Sequence, residues 1–159
     1  MNLLVTGGAG FIGSHLCELL VAENHKVIVI DDLSTGKTFN LRNVKNKITF
    51  FNQKLEAFDF KKLCEIDGII HLAAQASVPL SITNFYESSM SNIYGTLSVI
   101  DHCQKNNIPL VFASSSAVYG DLEFGNDEVE KINLNSPYAI DKFAMELYSK
   151  VMGKISKFS

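Results

Sequence analysis

The segment SPYAIDK places Tyr138 and Lys142 four residues apart. In a helix this spacing puts the two side chains on one face, about one turn from each other. A phenol has a pKa of about 10 and is a poor base at neutral pH, but a neighbouring ammonium group favours the phenolate. The pair could therefore take a proton from a substrate hydroxyl, although a Tyr and a Lys at this spacing also occur by chance on helix surfaces.

A cluster of three serines, in ASSSAVYG, ends the predicted strand that precedes this helix. Ligands of open α/β sheets bind at the carboxyl ends of the strands. We therefore expect a hydroxyl group of the cluster to lie near the Tyr and the Lys. The three side chains together are suited to removing a proton from a hydroxyl while hydride leaves the same carbon for a nicotinamide.

The segment TGGAGFIG indicates where such a nicotinamide cofactor would bind. Its glycines Gly7, Gly10 and Gly13 follow an apolar run and open a helix-like pattern. The unpaired N–H groups and partial positive charge at a helix start can hold a pyrophosphate against the backbone. Gly7 would permit the tight turn, Gly10 the approach of the phosphate, and Gly13 a close contact between helix and sheet.

Asp31, which ends the second predicted strand 18 residues beyond Gly13, strengthens this interpretation. A carboxylate at this place accepts hydrogen bonds from the ribose hydroxyls of adenosine. It would repel a 2′-phosphate, so the sequence predicts NAD rather than NADP. Asp32 is the alternative for this role, and a solvated turn residue is its simpler interpretation.

Short β-rich runs alternate with helical patterns along the chain, which predicts an α/β fold with a doubly wound parallel sheet, Rossmann-like, covered by helices on both faces. We predict five strands, at Asn2–Thr6, Lys26–Ile30, Ile48–Phe51, Gly68–His71 and Ile108–Ser114. Residues 1–159 are expected to form one domain, because a chain of this length buries a sufficient core by itself.

Three helices carry apolar residues at helical spacing. The first is expected to pack on the sheet through one stripe, formed by Ile12, Leu16, Leu19 and Leu20. The second spans roughly Asn84 to Asn106, starts with a capping pair of Asn84 and Glu87, and packs through Tyr86, Met90, Ile93, Leu97 and Ile100. The third starts with Ser136 as cap and Pro137 at its first position and runs to about Met152.

Composition excludes several classes of function. A net charge of −3 with 47% apolar residues argues against a nucleic-acid partner, and no signal peptide or apolar stretch long enough to span a membrane is visible. The three cysteines lie far apart in no metal-ligand spacing, so we predict no metal site and reduced thiols in the cytoplasm.

Six motifs occur in order along the whole chain: TGGAGFIGSH, IDDLSTG, HLAAQASV, NIYGT, SSSAVYGD and SPYAIDK. Together they resemble the extended short-chain dehydrogenase/reductase family, particularly its nucleotide-sugar epimerases. The resemblance implies an NAD-dependent enzyme with a UDP-sugar substrate. It implies catalytic roles for Ser115, Tyr138 and Lys142, and a cofactor site formed by Gly7, Gly10, Phe11, Ile12, Gly13, Asp31, Leu55, Ala73, Ala74, Asn92, Tyr138 and Lys142.

The resemblance also assigns individual roles. The family's catalytic hydroxyl stands three residues before the Val of VYG, which selects Ser115 from the serine cluster. Tyr138 is then the acid/base, Lys142 also bonds the nicotinamide ribose, and Asn92 braces the central sheet. His71 is interpreted as a packing residue at a strand end. Related epimerases pair two long helices across a dimer, so the resemblance implies a homodimer.

The residues that follow Ser115 separate members of this family. Its dehydratases carry Asp-Glu there as acid and base for elimination, whereas this chain has Ser116 and Ala117, which favours 4-epimerisation. Related UDP-glucuronate epimerases and decarboxylases remain alternatives. Ser77 and Ser81 either touch the substrate or shape their loop.

Two departures from the family pattern stand out. Lys54 replaces an Asp that receives the adenine amino group, so adenine recognition would depend on the backbone near Leu55 or be weaker. Family members are about twice this length, and their carboxyl-terminal substrate domain has no counterpart here. We expect a fragment or truncated product, and the alternative function is an NAD-binding or self-associating module without catalysis, with the edge of the fifth strand as a template for association.

Overall fold

The structure is a computed structural model, and it describes residues 1–63, 65–121 and 132–156. Its centre is a parallel sheet in the order β3-β2-β1-β4-β5. The strands are β1 (Asn2–Thr6), β2 (Lys26–Asp31), β3 (Ile48–Asn52), β4 (Gly68–His71) and β5 (Leu110–Phe112). This is the predicted Rossmann-like sheet, and the strand order reverses beside β1, where such sheets bind their ligands.

Helices cover both faces of the sheet, as predicted. They are α1 (Phe11–Ala22), α2 (Val78–Thr83), α3 (Phe85–Ser89), a π-helical segment (Met90–Tyr94), α4 (Gly95–Asn106) and α5 (Pro137–Ser156). Successive residues of β1 serve the two layers: Leu4 packs in one core cluster with Val99 of α4, and Val5 packs in the other with Cys17 of α1. Among the described helices, none has the length and apolar character needed to cross a bilayer.

Strand β5 is shorter than predicted. The expectation of a strand over Ile108–Ser114 is wrong at both ends, because Pro109 has no N–H to donate and the Ile108 N–H bonds the Cys103 carbonyl at the end of α4 (3.0 Å). At the other end, the Ser114 hydroxyl donates to Glu146 of α5. The strand lies at an edge of the sheet, and Val111 is 66% exposed.

The face predicted for the first helix is right for Leu16 and Leu20, which pack against the core cluster of Val5 and Cys17, and wrong for Ile12 and Leu19, which are 65% and 57% exposed. The buried residues of the helix are Gly13, Ser14 and Cys17. Because small side chains face inward, the helix axis comes close to the backbone it packs against. The described cysteines, Cys17 and Cys103, are buried free thiols, and Cys64 lies outside the described residues.

The helix predicted from Asn84 to Asn106 is present as one continuous helical run of α3, the π-helical segment and α4, and the residues at the joins, Met90 and Gly95, keep right-handed helical backbone angles. Asn84 lies just before this run (φ −136°, ψ 56°), and its side chain makes no capping hydrogen bond, so the predicted cap is wrong. The predicted inner face is right in part, since Ile100 is buried, Met90, Ile93 and Leu97 are half-buried, and Tyr86 is 61% exposed. The buried positions are Ser88, Asn92, Gly95, Thr96, Val99, Ile100 and Cys103. Polar side chains occupy this face because several of them hydrogen-bond to neighbouring elements, as described below.

Helix α5 begins as predicted. Pro137 is its first residue, and the Ser136 hydroxyl accepts a hydrogen bond from the Ala139 N–H (3.1 Å). The helix extends beyond the expected end at Met152 to Ser156.

Candidate cofactor and active site

The turn between β1 and α1 has no room for a side chain at Gly7, and the first turn of α1 has none at Gly13. Gly7 has φ +70°, and a Cβ added there would lie 2.7 Å from the Ala73 nitrogen. A Cβ on Gly13 would lie 2.2 Å from the Gly7 carbonyl oxygen. The close contact of Gly13 is therefore with the turn itself rather than with the sheet. At Gly10 an added Cβ would meet only the Gly7 oxygen, at 3.2 Å, so this position faces open space.

The amino end of α1 presents backbone donors beside this open position. The first hydrogen bond within the helix runs from the Ser14 N–H to the Gly10 carbonyl (3.0 Å). In the described part of the chain, no acceptor faces the N–H groups of Phe11, Ile12 and Gly13, and no acidic side chain occupies the first turn. The turn thus combines unpaired donors with the positive end of a helix dipole, which suits a pyrophosphate.

A cavity of about 480 Å³ opens over this turn. It brings together nine of the predicted cofactor residues: Gly7, Gly10, Phe11, Ile12, Gly13, Asp31, Leu55, Ala73 and Ala74. The other three predicted cofactor residues, Asn92, Tyr138 and Lys142, do not line this cavity. The residues predicted from the first half of the sequence therefore form one continuous surface.

Asp31 is held in a fixed orientation at the end of β2. Its side chain is only 8% exposed, and its two oxygens accept hydrogen bonds from the N–H groups of Ala9 (2.9 Å) and Leu33 (2.8 Å). Each carboxylate oxygen keeps a lone pair, so the group can still accept ribose hydroxyls. Asp32 closes its own turn by accepting the Ser34 N–H (2.9 Å), as its simpler interpretation predicts.

The segment after β3 lines one side of the cavity and contains Lys54, which replaces the Asp of the family pattern. Lys54 is exposed, and its ammonium group lies 3.9 Å from the Glu56 carboxylate. Leu55 is buried between them in the chain, close to Gly95 of α4. Both charged side chains line the cavity, so an adenine bound here would meet a cation and a carboxylate where the family pattern has an Asp.

A buried hydrogen-bond network fixes the segment after β4. The Thr6 hydroxyl accepts the N–H groups of Leu72 and Ala73 (both 3.2 Å) and lies 2.6 Å from Nδ1 of His71. Nε2 of His71 lies 3.0 Å from the Thr96 hydroxyl, which itself donates to the Asn92 carbonyl (2.7 Å). These roles are consistent only if Nε2 carries the proton and Nδ1 accepts from Thr6.

His71 is therefore a neutral structural side chain, in line with its predicted packing role. It is 1% exposed, and burial, with a smaller contribution from the positive charge of Lys142, lowers its pKa to about 3. The network ties β1, β4 and α4 together directly behind Ala73, which lines the cavity.

Asn92 makes contacts typical of a brace. Its Oδ1 accepts the Gln75 N–H (2.8 Å), and its Nδ2 donates to the Gln75 carbonyl (3.2 Å) and to Asp141 of α5 (3.1 Å). The side chain is 2% exposed and does not line the cavity, and its contacts are with the protein, so a contact of Asn92 with the cofactor stays a prediction. It links the segment after β4 to α5 instead of bracing the sheet alone.

The side chains of Tyr138 and Lys142 lie on one face of α5, as predicted. The Lys142 ammonium is 6.0 Å from the centre of the Tyr138 ring and donates to the Ala113 carbonyl at the end of β5 (2.8 Å). Both residues are buried. Burial lowers the pKa of Lys142 to about 8, and the negative charge of Asp141 opposes this shift, so the ammonium is mostly charged at neutral pH.

The serine cluster divides its roles. Ser114 donates its hydroxyl to Glu146, whereas the Ser115 oxygen accepts the Ala117 N–H (3.2 Å) and keeps its hydroxyl hydrogen for another acceptor. This difference favours Ser115 as the hydroxyl that acts on a substrate. In the described residues, no hydrogen bond joins Ser115 to Tyr138.

The structure distinguishes the two alternatives for the serines after β4 and reveals one further residue. Ser81 is fully buried and accepts the Tyr138 N–H (3.1 Å), which supports the structural alternative over substrate contact. Ser77 caps α2 by accepting the Leu80 N–H (3.3 Å). Asp141 is buried beside Lys142, and only its place between Tyr138 and Lys142 in the motif could have drawn attention to it.

Comparison with known proteins agrees with this geometry. The model of the NAD dependent epimerase/dehydratase family matches residues 3–158. A putative UDP-glucose 4-epimerase of Methanocaldococcus jannaschii is 38% identical over 162 residues, which cover 96% of this chain and 51% of that protein. Other relatives are UDP-glucuronic acid decarboxylases.

Solved structures match the fold over nearly the whole chain. The UDP-N-acetylglucosamine 4-epimerase of Methanobrevibacter ruminantium, in complex with UDP-N-acetylmuramic acid, has a TM-score of 0.93 at 40% identity, covering 99% of this chain and 52% of that chain. A UDP-glucose 4-epimerase of Thermus thermophilus, in complex with NAD, has a TM-score of 0.88 at 37% identity, covering 99% and 52%. The chain thus spans about half the length of the relatives it matches, and over that half it belongs to the NAD-dependent epimerase/dehydratase family.

Proposed function

We propose that this chain is the cofactor-binding half of an NAD-dependent nucleotide-sugar 4-epimerase of the UDP-hexose class. The observation that carries the proposal is the cavity in which the glycine turn, the open amino end of α1 and the fixed carboxylate of Asp31 face one another. These groups match the pyrophosphate and the adenosine ribose of NAD, the cofactor of the family.

The residues that line the cavity fit both the charged pyrophosphate and the uncharged ribose of NAD. The donors of Phe11, Ile12 and Gly13 would hold the pyrophosphate, and Asp31 the adenosine ribose, while Ala73 and Ala74 would form the floor beneath it. When bound, NAD supplies an acceptor that takes hydride from one sugar carbon and later returns it.

The α5 pair would handle the proton in this reaction. The Tyr138 phenolate would take the proton from the 4-hydroxyl of the sugar and become the phenol, which gives the proton back after the sugar has turned over. The Lys142 ammonium, 6.0 Å from the ring, stabilises negative charge on the phenol oxygen, and the Ser115 hydroxyl donates a hydrogen bond to the sugar oxygen.

The residues after Ser115 support epimerisation over elimination. Ser116 and Ala117 form part of a 3₁₀ turn and provide no carboxylate to act as acid or base. Decarboxylases among the relatives favour one further candidate, oxidation of a UDP-glucuronate at the same carbon, since both reactions begin with the same proton and hydride removal. The chain spans about half the length of the relatives it matches. A second alternative is therefore an NAD-binding module without turnover.

One set of assays separates these alternatives. The chain, and its full gene product where the reading frame continues past Ser159, is incubated with UDP-glucose, UDP-N-acetylglucosamine and UDP-glucuronate, and products are identified by nuclear magnetic resonance. We expect epimerised sugar, and we expect Tyr138→Phe to abolish it while NAD binding by calorimetry is unchanged. Turnover retained in Tyr138→Phe would remove this residue from the mechanism. NAD binding without any product would support the alternative of an NAD-binding module without catalysis.

A homodimer completes the proposal. Several large apolar side chains stand exposed on α2, α3 and α5, namely Ile82, Phe85, Tyr86, Ile140, Leu147, Tyr148, Val151 and Ile155. Exposed apolar surface on packed helices favours association with a second copy. Sedimentation is expected to give a dimer, and a monomer at all concentrations would contradict this part. Buried thiols at Cys17 and Cys103 agree with a reducing compartment such as the cytoplasm.

A further inference from the structure

Asp141 is a buried charged residue for which the proposed chemistry has no use. It is 4% exposed, and in the described part of the chain its carboxylate has one hydrogen-bond donor, Nδ2 of Asn92 at 3.1 Å. Removing a carboxylate from water costs free energy that one hydrogen bond does not fully offset. Its presence at the middle of the Tyr138–Lys142 turn therefore requires another compensating interaction.

The hydrogen-bond partner of Asp141 can adopt only one orientation. Oδ1 of Asn92 must face the Gln75 N–H, because that contact needs an acceptor, and Nδ2 must then face the Gln75 carbonyl and Asp141. Both amide hydrogens and the amide oxygen are used. Asn92 thus transmits the position of α5 to the backbone of Gln75 without freedom to rotate.

Gln75 belongs to the segment that lines the cofactor cavity. Ala73, Ala74, Gln75 and Ala76 are consecutive wall residues, and the hydrogen bonds from Asn92 hold the middle of this wall. Lys142, the next residue after Asp141, points the other way and binds the Ala113 carbonyl at the end of β5. Adjacent residues of α5 consequently attach the helix to two different edges of the site.

Charge gives Asp141 a second effect. The described residues contain no ion pair within 4.0 Å between Asp141 and Lys142, yet the negative charge raises the pKa of Lys142 against the effect of burial. The other titratable groups that interact with this ammonium are His71, which is neutral, and Tyr138, whose ring centre lies 6.0 Å away. The position of the ammonium itself is fixed by the Ala113 carbonyl.

We infer that Asp141 is a positioning residue: through Asn92 it sets the cofactor wall at Gln75 relative to the start of α5, which carries Tyr138 and Lys142. The catalytic meaning of this role rests on the proposed function. The positional part does not, because it concerns contacts present without any ligand.

Two substitutions separate the hydrogen bond from the charge. Asp141→Asn keeps an acceptor for Asn92 and removes the charge, whereas Asp141→Ala removes both. Asp101→Asn, in the exposed ion pair with Lys105 on α4, is the matched control. Amide hydrogen exchange of Gln75 is followed by nuclear magnetic resonance without NAD.

We expect Gln75 exchange to accelerate about tenfold or more in Asp141→Ala and to stay within about threefold in Asp141→Asn. The control should leave Gln75 exchange unchanged. Unchanged Gln75 exchange in Asp141→Ala would overturn the inference.

A charge exchange keeps the test decisive if Asp141→Ala does not fold. Asn92→Asp alone places two carboxylates in contact and removes the donor to the Gln75 carbonyl, so it should weaken Gln75 protection. The double variant Asn92→Asp with Asp141→Asn restores a donor and an acceptor between positions 92 and 141, while the Gln75 carbonyl stays without its donor. Higher Gln75 protection in the double variant than in Asn92→Asp supports the inference, and equal protection contradicts it. Failure of the wild-type chain to bind NAD would overturn the proposed function and leave these results standing.

Discussion

The glycine turn and the start of α5 hold their functional atoms by opposite means. The turn uses the backbone, with N–H groups exposed because side chains are excluded at Gly7 and Gly13. Helix α5 uses side chains, and its position is fixed by Ser81, Asn92 and the Ala113 carbonyl from three different elements. A site formed by the backbone can therefore be predicted from one short stretch of sequence. A site whose side chains are held by residues far away in the sequence cannot.

The largest expected effect tests the backbone region. In Gly13→Ala the new Cβ would lie 2.2 Å from a carbonyl oxygen, so the free energy of unfolding should fall by about 3 kcal/mol or more, with loss of NAD binding. Gly10→Ala meets only one atom, at 3.2 Å, and should change stability by less than about 1 kcal/mol while weakening NAD binding about tenfold or more. Denaturant unfolding and calorimetry measure both quantities. Equal losses of stability in Gly13→Ala and Gly10→Ala would contradict the difference in space at the two glycines.

The next effect concerns the buried network between the two regions. The pKa of His71 is lowered from 6.5 to about 3 in the folded chain, so below pH 6.5 the unfolded state takes up a proton that the folded state does not. The contribution of the neutral His71 side chain to the free energy of unfolding is therefore fully present above pH 6.5. It decreases by about 1.4 kcal/mol for each unit by which the pH falls below this value.

Unfolding free energies between pH 7 and pH 4 check this dependence. In His71→Gln the dependence of the unfolding free energy on pH should decrease by the contribution of one proton, about 1.4 kcal/mol per pH unit. The same slope in wild type and His71→Gln would show that the acid sensitivity arises elsewhere.

The smallest effect concerns the cap of α5. Ser81→Ala leaves the buried Tyr138 N–H without its acceptor and should cost about 1–2 kcal/mol of stability. Ser77→Ala, at the exposed cap of α2, should cost less, about 0.5–1 kcal/mol. Thermal or denaturant unfolding ranks the pair, and a larger cost for Ser77→Ala would reverse the interpretation of Ser81.

The sequence predicted the fold well where local rules dominate. All five strands, the turn at Gly7 and the capped start of α5 at Ser136 follow from hydrophobic runs, glycine and proline. It was right only in part for the inner faces of α1 and of the helix that ends with α4, because apolar spacing does not reveal that small or hydrogen-bonded residues such as Cys17, Asn92 and Thr96 face inward. The shortened β5 follows from Pro109, which periodicity alone does not weigh.

The candidate site shows the same division. Nine cofactor residues predicted from the sequence meet in one cavity, and Tyr138 and Lys142 share a face of α5. The roles of Ser81 and Asp141 required tertiary contacts across more than forty residues of sequence. Only the folded chain brings these partners together.

The central claim is that the open amino end of α1 binds the pyrophosphate of NAD, and an amide-resolved titration tests it most directly. With ¹⁵N-labelled chain, we predict that NAD shifts the amide signals of Phe11, Ile12 and Gly13 and saturates at one equivalent, whereas adenosine, which lacks the pyrophosphate, leaves these three unmoved. NAD that leaves the three signals in place at saturating concentration would contradict the account.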